Sequence, residues 1–219
     1  MPNMPQSIKF QRVPVVKRIF DLLLTIPGFI IVSPLMAIIA LLVRLFDGSP
    51  VIFHQVRAGL GNKLFKVYKF RTMRDLRDKN GQLLPDDQRI SPVGHFLRAT
   101  SLDELPELFN IIRGEMSLVG PRPLLAVYLE RYSPEQIRRH EVPPGMTGWA
   151  QINGRNALSW EDKFELDIWY VDHWSLWLDI KILFLTFWKA FIKREGISQP
   201  GEATASEFMG SVLSEKEKE

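Results

Sequence analysis

No cysteine occurs in the 219 residues of this chain. That absence excludes disulfide frameworks, Cys-based zinc sites and thiolate nucleophiles. Histidine is scarce too, and His54, His95, His140 and His173 show no metal-ligand spacing, so all four read as structural or surface groups. Charge of one sign is nowhere gathered into a run. The net charge is +3 and the isoelectric point about 9.2. This balance suits an anionic membrane surface or a phosphorylated substrate, and argues against a nucleic-acid partner. Internal repeats are missing. The glycine pair Gly59 and Gly61 lacks the third glycine and the following helix of a dinucleotide-binding turn.

One long apolar run is present. Residues 22–46 are apolar apart from Thr25, Ser33 and Arg44, with Lys9, Arg12, Lys17 and Arg18 before them. A bilayer core takes about 20 helical residues, so the run is long enough to span. It exceeds a signal-peptide core and has no small-x-small cleavage site, which predicts that it is retained. Pro34 removes an amide donor and clashes with the carbonyl of Ile30, and Ser33 can bond the freed carbonyl inside lipid. Cations flank both ends, with Arg44, Arg57 and Lys63 following the run. If positive charge marks the cytoplasmic side, both ends belong there. A re-entrant helical hairpin satisfies this, while a simple kinked anchor is equally compatible with the residues alone.

Turn signals divide the rest. Residues 47–50 (Asp-Gly-Ser-Pro) form a turn, and 51–57 and 64–71 read as two strands of a hairpin around 59–62. Residues 74–92 read as an exposed charged loop. A helix is predicted from Ser101, capped by Ser101 and Glu104, with Leu105, Leu108, Phe109 and Ile112 on its apolar stripe and Gly114 at its end. A second capping box, Ser133 to Gln136 with Pro134 at the first helical position, predicts a helix broken by residues 143–145. Residues 146–155 look too rich in Gly and Asn for a regular element. Residues 160–193 read as one or two helices carrying five of the six tryptophans, which suggests that they lie at a membrane interface. Residues 201–219 read as a disordered tail. The expected class is α+β, mainly helical, with a tail at 1–14, a membrane hairpin at 15–47 and a catalytic domain at 48–200.

Residues 97–123 carry the chemistry. They place Asp103 and Glu104 on a first helical turn, with Arg98 upstream and Arg122 between Pro121 and Pro123. First-turn acids often only complement the helix dipole. Here the arginines shift the balance, because a guanidinium fork binds phosphate and a carboxylate can attack phosphorus to give an acyl phosphate. The prolines restrict the backbone that aims Arg122. Lys69 and Arg71, two residues apart at the end of a strand, share a face and add positive charge to the site or to a solvated edge. The series Asp162, Asp167 and Asp172 reads as a solvated helix face.

The order Lys-Phe-Arg-Thr-Met (69–73), Arg98, Ser-Leu-Asp-Glu-Leu-Pro (101–106), Met-Ser-Leu-Val-Gly-Pro-Arg-Pro (116–123) and Gly-Met-Thr-Gly-Trp-Ala-Gln-Ile-Asn-Gly-Arg (145–155) resembles the monotopic phosphoglycosyl transferases, or bacterial sugar transferases. The resemblance covers about residues 15–190 and looks like the small, catalytic-domain-only form. It implies transfer of a sugar-1-phosphate from a UDP-sugar to a polyprenol phosphate, with release of UMP. It also implies a membrane helix broken at Ser33-Pro34 that enters and leaves by the cytoplasmic face of a bacterial inner membrane. Asp103 would be the nucleophile, Glu104 its assistant, and Mg²⁺, with Asp103 and Glu104 as candidate ligands, would help bind the diphosphate. Arg98, Arg122, Lys69 and Arg71 would bind phosphate. Membrane lipids and downstream glycosyltransferases are the further expected partners. A membrane-attached scaffold and a lipid-phosphate hydrolase remain as competing readings.

Overall fold

The computed structural model describes residues 13–154, 158–189 and 208–210. Arg155 of the last motif, the basic residues Lys9 and Arg12, and most of both termini lie outside these residues. The described part is mainly helical with two small sheets, as expected for the α+β class.

Helix α1 (Val15–Phe46) runs through Pro27 and Pro34 as one element. Ser33 Oγ donates to the Ile30 carbonyl at 2.8 Å, so the acceptor that Pro34 leaves without an amide is satisfied from within the helix. The helix is inside-out. Lys17, Asp21 and Thr25, spaced four apart, are buried, while Leu23, Leu24, Ile30, Ile31, Ile38 and Leu45 are exposed. Only 11% of its most apolar window is buried, and by length and composition it is the one helix among the described residues fit to cross a membrane.

Both ends of α1 pack on the same globular body. Near its start, Arg18 donates to the carbonyls of Ile111 and Ile112 (2.5 and 2.7 Å), and Asp21 accepts from the Leu118 amide (3.2 Å). Near its end, Ile39 and Val43 form a core with Phe70 and Leu97, and Asp47 just beyond takes Arg74 Nε and the Ser91 hydroxyl. Between them, Phe29 and Val32 rest on Val67, Leu108, Ile111 and Met116.

The hairpin forms as predicted. Strands β1 (Ile52–Ala58) and β2 (Leu64–Phe70) pair antiparallel, with Gly61 and Asn62 at positive φ in the turn. The predicted loop over 74–92 contains a short helix, α2 (Asp86–Arg89). It leads into α3 (Pro92–Thr100), which Ser91 caps through the Gly94 amide (2.8 Å) and whose first residue is Pro92.

The predicted helix from Ser101 is corrected. Ser101 sits at φ 55° and closes α3, Leu102–Glu104 form a 3-10 turn, and helix α4 spans only Glu107–Arg113. Pro106 has no amide to offer Leu102, so a continuous α-helix is interrupted and restarts after it. Leu108 and Ile111 face the core, whereas Phe109 of the predicted stripe is exposed. Gly114, at φ 83°, ends the helix as expected. The Ser133–Gln136 capping box is present in both directions (2.9 and 3.2 Å) but opens a 3-10 helix, Gln136–Glu141, in place of an α-helix.

Residues 146–154 are also more regular than expected. Strand β3 (Ser117–Val119) pairs in parallel with β4 (Gly145–Thr147), and α5 (Trp149–Asn153) follows. The motif glycines have a packing reason. A Cβ on Gly120 would lie 2.3 Å from the Pro143 carbonyl oxygen, and one on Gly145 would lie 2.0 Å from the Gly120 amide nitrogen. Helices α6 (Trp160–Asp172) and α7 (Leu176–Phe187) complete the body, with Trp177, Phe184 and Phe187 exposed on α7. Asp167 is not on a solvated face: it is buried against Arg139 at 2.7 Å. Of the expected disordered tail, Phe208 is instead buried in the fold.

Candidate active site

Asp103 and Glu104 occupy the 3-10 turn between α3 and α4. Their neighbours Leu102 and Leu105 pack on the core that contains Ile39 and Val43, so the turn is seated against the C-terminal half of α1. Asn110, fully buried in α4, accepts from the Tyr68 amide (3.2 Å) and donates to the Lys66 carbonyl (2.7 Å). That bolts α4 to β2 and brings Lys69 over the carboxylates.

Glu104 is the electrostatic hub. Its Oε1 accepts from Lys69 Nζ at 2.6 Å and from Arg122 at 2.7 Å. Burial works to raise the Glu104 pKa, but Arg122 and Lys69 outweigh it and hold the carboxyl well below its usual range. Arg122, held up chiefly by Glu104, keeps 48% of its side chain open to solvent. One face of the guanidinium is therefore committed and the other is presented outward.

Asp103 is different. Among the described residues its carboxylate accepts no hydrogen bond. Burial and the neighbouring Glu104 raise its pKa, while Lys69, Arg98 and Arg122 pull it back. A carboxylate made more basic by its surroundings, next to three cations but bonded to none, is suited to attack an electrophilic phosphorus. Arg98 Nε donates to Thr72 Oγ1 at 3.0 Å, and Asp103 is the first charge that offsets the burial of that guanidinium.

Arg71 is not brought into this group. It donates to the carbonyls of Met73 (2.8 Å) and Ser49 (2.7 Å) and fastens the foot of the hairpin. Ser33 and Pro34 lie within α1, apart from the dyad in sequence and exposed or half-buried. Burial pushes the His140 pKa down to about 3, which leaves the ring neutral, and its Nδ1 meets Asn62 Oδ1 at 2.7 Å.

Two members were missed from the sequence. Glu107, only 4% exposed at its side chain, shares Lys69 with Glu104 at 3.2 Å. Burial and the Glu104 charge push its pKa up to about 7. Arg57 of β1 has its pKa lowered to about 10, first by burial and then by Arg122. The signal for Glu107 was its position, three residues beyond Glu104 across a proline; for Arg57 it was the alternation of β1.

The chemistry of the donor set fits Mg²⁺. Among the described residues no three His, Cys, Asp or Glu side chains are grouped to hold a metal by themselves. Adjacent carboxylates with free oxygens on Asp103 match a cation that takes one or two carboxylates and completes its shell with substrate phosphates and water.

The Arg122 loop is supported from behind. Lys17 Nζ donates to the Val119 carbonyl (3.0 Å), and Arg139 donates to the carbonyl of Arg122 itself (2.7 Å).

A model of the bacterial sugar transferase family matches residues 12–193. The chain is 55% identical over 197 residues to an uncharacterized sugar transferase, EpsL, of Bacillus subtilis (strain 168), covering 90% of this chain and 97% of that one. It is 43% identical over 188 residues to a UDP-glucose:undecaprenyl-phosphate glucose-1-phosphate transferase of Escherichia coli (strain K12), covering 81% of this chain and 40% of that one. It is 40% identical over 179 residues to a UDP-N-acetylgalactosamine-undecaprenyl-phosphate N-acetylgalactosaminephosphotransferase of Aeromonas hydrophila, covering 78% of this chain and 42% of that one. It thus spans about two fifths of the two longer relatives. A match that takes in α1, both sheets and the acidic turn makes this chain a transferase belonging to the bacterial sugar transferase family.

Proposed function

We propose that the chain transfers a sugar-1-phosphate from a UDP-sugar to a polyprenol phosphate and releases UMP. The observation that carries this reading is the contrast within the dyad: Glu104 clamped by Lys69 and Arg122, and Asp103 beside it without a hydrogen bond among the described residues. The named activities of the Escherichia coli and Aeromonas relatives supply the donor and acceptor classes.

In this reading Arg122, Arg98 and Lys69 receive the diphosphate of the donor and offset its charge. Asp103 attacks the phosphorus that bears the sugar, the bond to the bridging oxygen breaks, and UMP leaves with that oxygen. An acyl phosphate now joins Asp103 to the sugar phosphate. An oxygen of the polyprenol phosphate attacks the same phosphorus, the bond to the Asp103 carboxylate breaks, and a polyprenol-diphosphate sugar departs. Glu104 keeps Lys69 and Arg122 in place through both steps. Mg²⁺, held by the dyad carboxylates and the donor, would supply further neutralisation of the diphosphate.

The same reading places the chain on one face of a bilayer. A straight helix of 32 residues is about 48 Å long, beyond the ~30 Å of a hydrocarbon core. Both its ends pack on one body, while its middle is apolar and exposed. That supports a re-entrant segment bent near Ser33-Pro34 over a straight span. Trp177, Phe184 and Phe187 of α7 would rest in the headgroup region of the cytoplasmic leaflet of a bacterial inner membrane. The lipid product is then delivered to glycosyltransferases at the same surface.

The test is intact-protein mass after mixing detergent-solubilised enzyme, Mg²⁺ and a panel of UDP-sugars without acceptor. A gain of one sugar phosphate is expected, lost in Asp103→Asn together with transfer, by a factor on the order of 10⁴. Normal turnover by that variant would sink the assignment of Asp103. Turnover without polyprenol phosphate would point to a hydrolase, and no UMP release with any donor would leave a scaffold.

A further inference from the structure

Phe208 lies beyond the stretch matched by the family model, in a region whose composition reads as disordered, yet it is only 2% exposed. Four rings enclose it: Phe164 at 5.0 Å, Trp160 at 5.5 Å, Tyr128 at 5.6 Å and Tyr132, stacked, at 5.9 Å between centroids. Its backbone is held as well. The Phe208 amide donates to the Tyr128 hydroxyl at 3.1 Å, and Arg131 donates to its carbonyl at 2.5 Å. A residue of the C-terminal region with so many partners is a docked anchor, since burial of a whole aromatic ring outweighs the entropy of ordering it.

The cage is built from the chain that follows Arg122. Leu124 and Leu125 pack in the same cluster, one and two residues past Pro123. Leu124 also accepts from the Ala58 amide at 3.2 Å, tying this stretch to β1. A second connection runs through Tyr132, whose hydroxyl accepts from Arg139 at 3.3 Å. Arg139 in turn donates to the Arg122 carbonyl at 2.7 Å. Buried Asp167 fixes Arg139 from the other side. Phe208 therefore stacks on Tyr132, one support of the Arg122 backbone, and shares a core cluster with Leu124 and Leu125, the other.

We propose that Phe208 is a positioning residue for Arg122: seated in the ring cage, it holds the 122–125 backbone and Tyr132, and so the register of the Arg122 guanidinium over Glu104. Its effect on donor binding rests on the function proposed above; its effect on the backbone does not.

The test uses the full chain with Phe208→Ala. Donor-dependent UMP release is expected to show a raised KM for the UDP-sugar, with kcat/KM down roughly 2- to 30-fold and the KM for polyprenol phosphate unchanged. Amide exchange in peptides covering 118–125 is expected to accelerate, with α7 and the hairpin interior unaffected. An unchanged donor KM in a folded variant overturns the proposal, as does a loss confined to kcat that cooling restores, which reports only a smaller folded fraction. If Phe208→Ala does not fold, Phe208→Leu is expected to show the same KM change at reduced size, and a silent Leu variant overturns the proposal equally. Should the wild type release no UMP with any donor, the proposed reaction fails, while the exchange measurement still decides the role of Phe208.

Discussion

Of the places among the described residues that bring acids and cations together, two are built in opposite ways. At Asp179 every bond is closed. Lys17 (2.6 Å) and Trp174 (3.1 Å) take Oδ2, Tyr170 (2.7 Å) takes Oδ1, and Lys17 and Asp179 are 1% and 0% exposed. At the dyad Arg122 is half open, Asp103 accepts no hydrogen bond among the described residues, and three carboxylates lie within reach of Lys69 and Arg122. The closed cluster fastens the start of α1 to the body. The open one has polar capacity left for a ligand. Satisfaction of hydrogen bonds, more than the number of charges, separates an anchor from a site.

The largest effect should come from opening the closed cluster. Asp179→Leu removes the ion-pair partner of Lys17 in the interior and leaves only Asp21 to offset its charge, which costs about 3–5 kcal/mol. A corresponding fall in the unfolding midpoint is expected in detergent. Lys17→Met with Asp179→Leu should recover most of it, because removing both charges costs far less than orphaning one. A single variant as stable as the wild type would end the distinction between the two regions.

How much of this was legible follows the same division. Asp103, Glu104, Arg98 and Arg122 stand in local motifs whose chemistry is readable from residue type, and the structure gathers them with Lys69. The closed cluster was not read. Lys17, Asp21 and Thr25 do repeat every four residues, but a polar stripe is taken for the solvent side unless the apolar side is known to face lipid. Asp179 is the lone acid of an apolar helix, and its partners come from sequence positions up to 162 residues away. The parallel pairing of β3 with β4 was hidden for the same reason. The capping pattern at Ser101 is local and predicts a helix start, whereas Pro106 interrupts the element and leaves the acids on a 3-10 turn.

A mid-sized effect tests whether the open cluster is free of structural duty. Arg122→Lys keeps the charge but loses the planar fork that can hold Glu104 on one side and phosphate on the other. A fall in kcat/KM of roughly 30-fold, about 2 kcal/mol, is expected. The unfolding midpoint should hardly move, because a half-exposed ion pair adds little to stability. A large loss of stability with unchanged kinetics would place Arg122 with the anchor instead.

The smallest effect concerns Glu107, where the open cluster stores unfavourable charge. Burial and Glu104 raise its pKa from 4.5 to about 7 in the folded chain. Below pH 4.5 the group is protonated in both states and its contribution to stability is whole. Between 4.5 and about 7 the unfolded chain releases the proton while the folded chain keeps it, so stability falls as pH rises, and above about 7 the decline levels off. Glu104 acts in the opposite sense, with its depressed pKa costing stability only as pH falls below its ordinary range. Glu107→Gln should therefore flatten the unfolding midpoint between pH 5 and 7, in a chelating buffer that keeps metal from the dyad. It should leave the variant more stable at pH 8 by on the order of 1–2 kcal/mol. An unchanged slope would mean that Lys69 already neutralises Glu107 as fully as Lys17 does Asp179. The contrast between the regions would then rest on Asp103 and Arg122 alone.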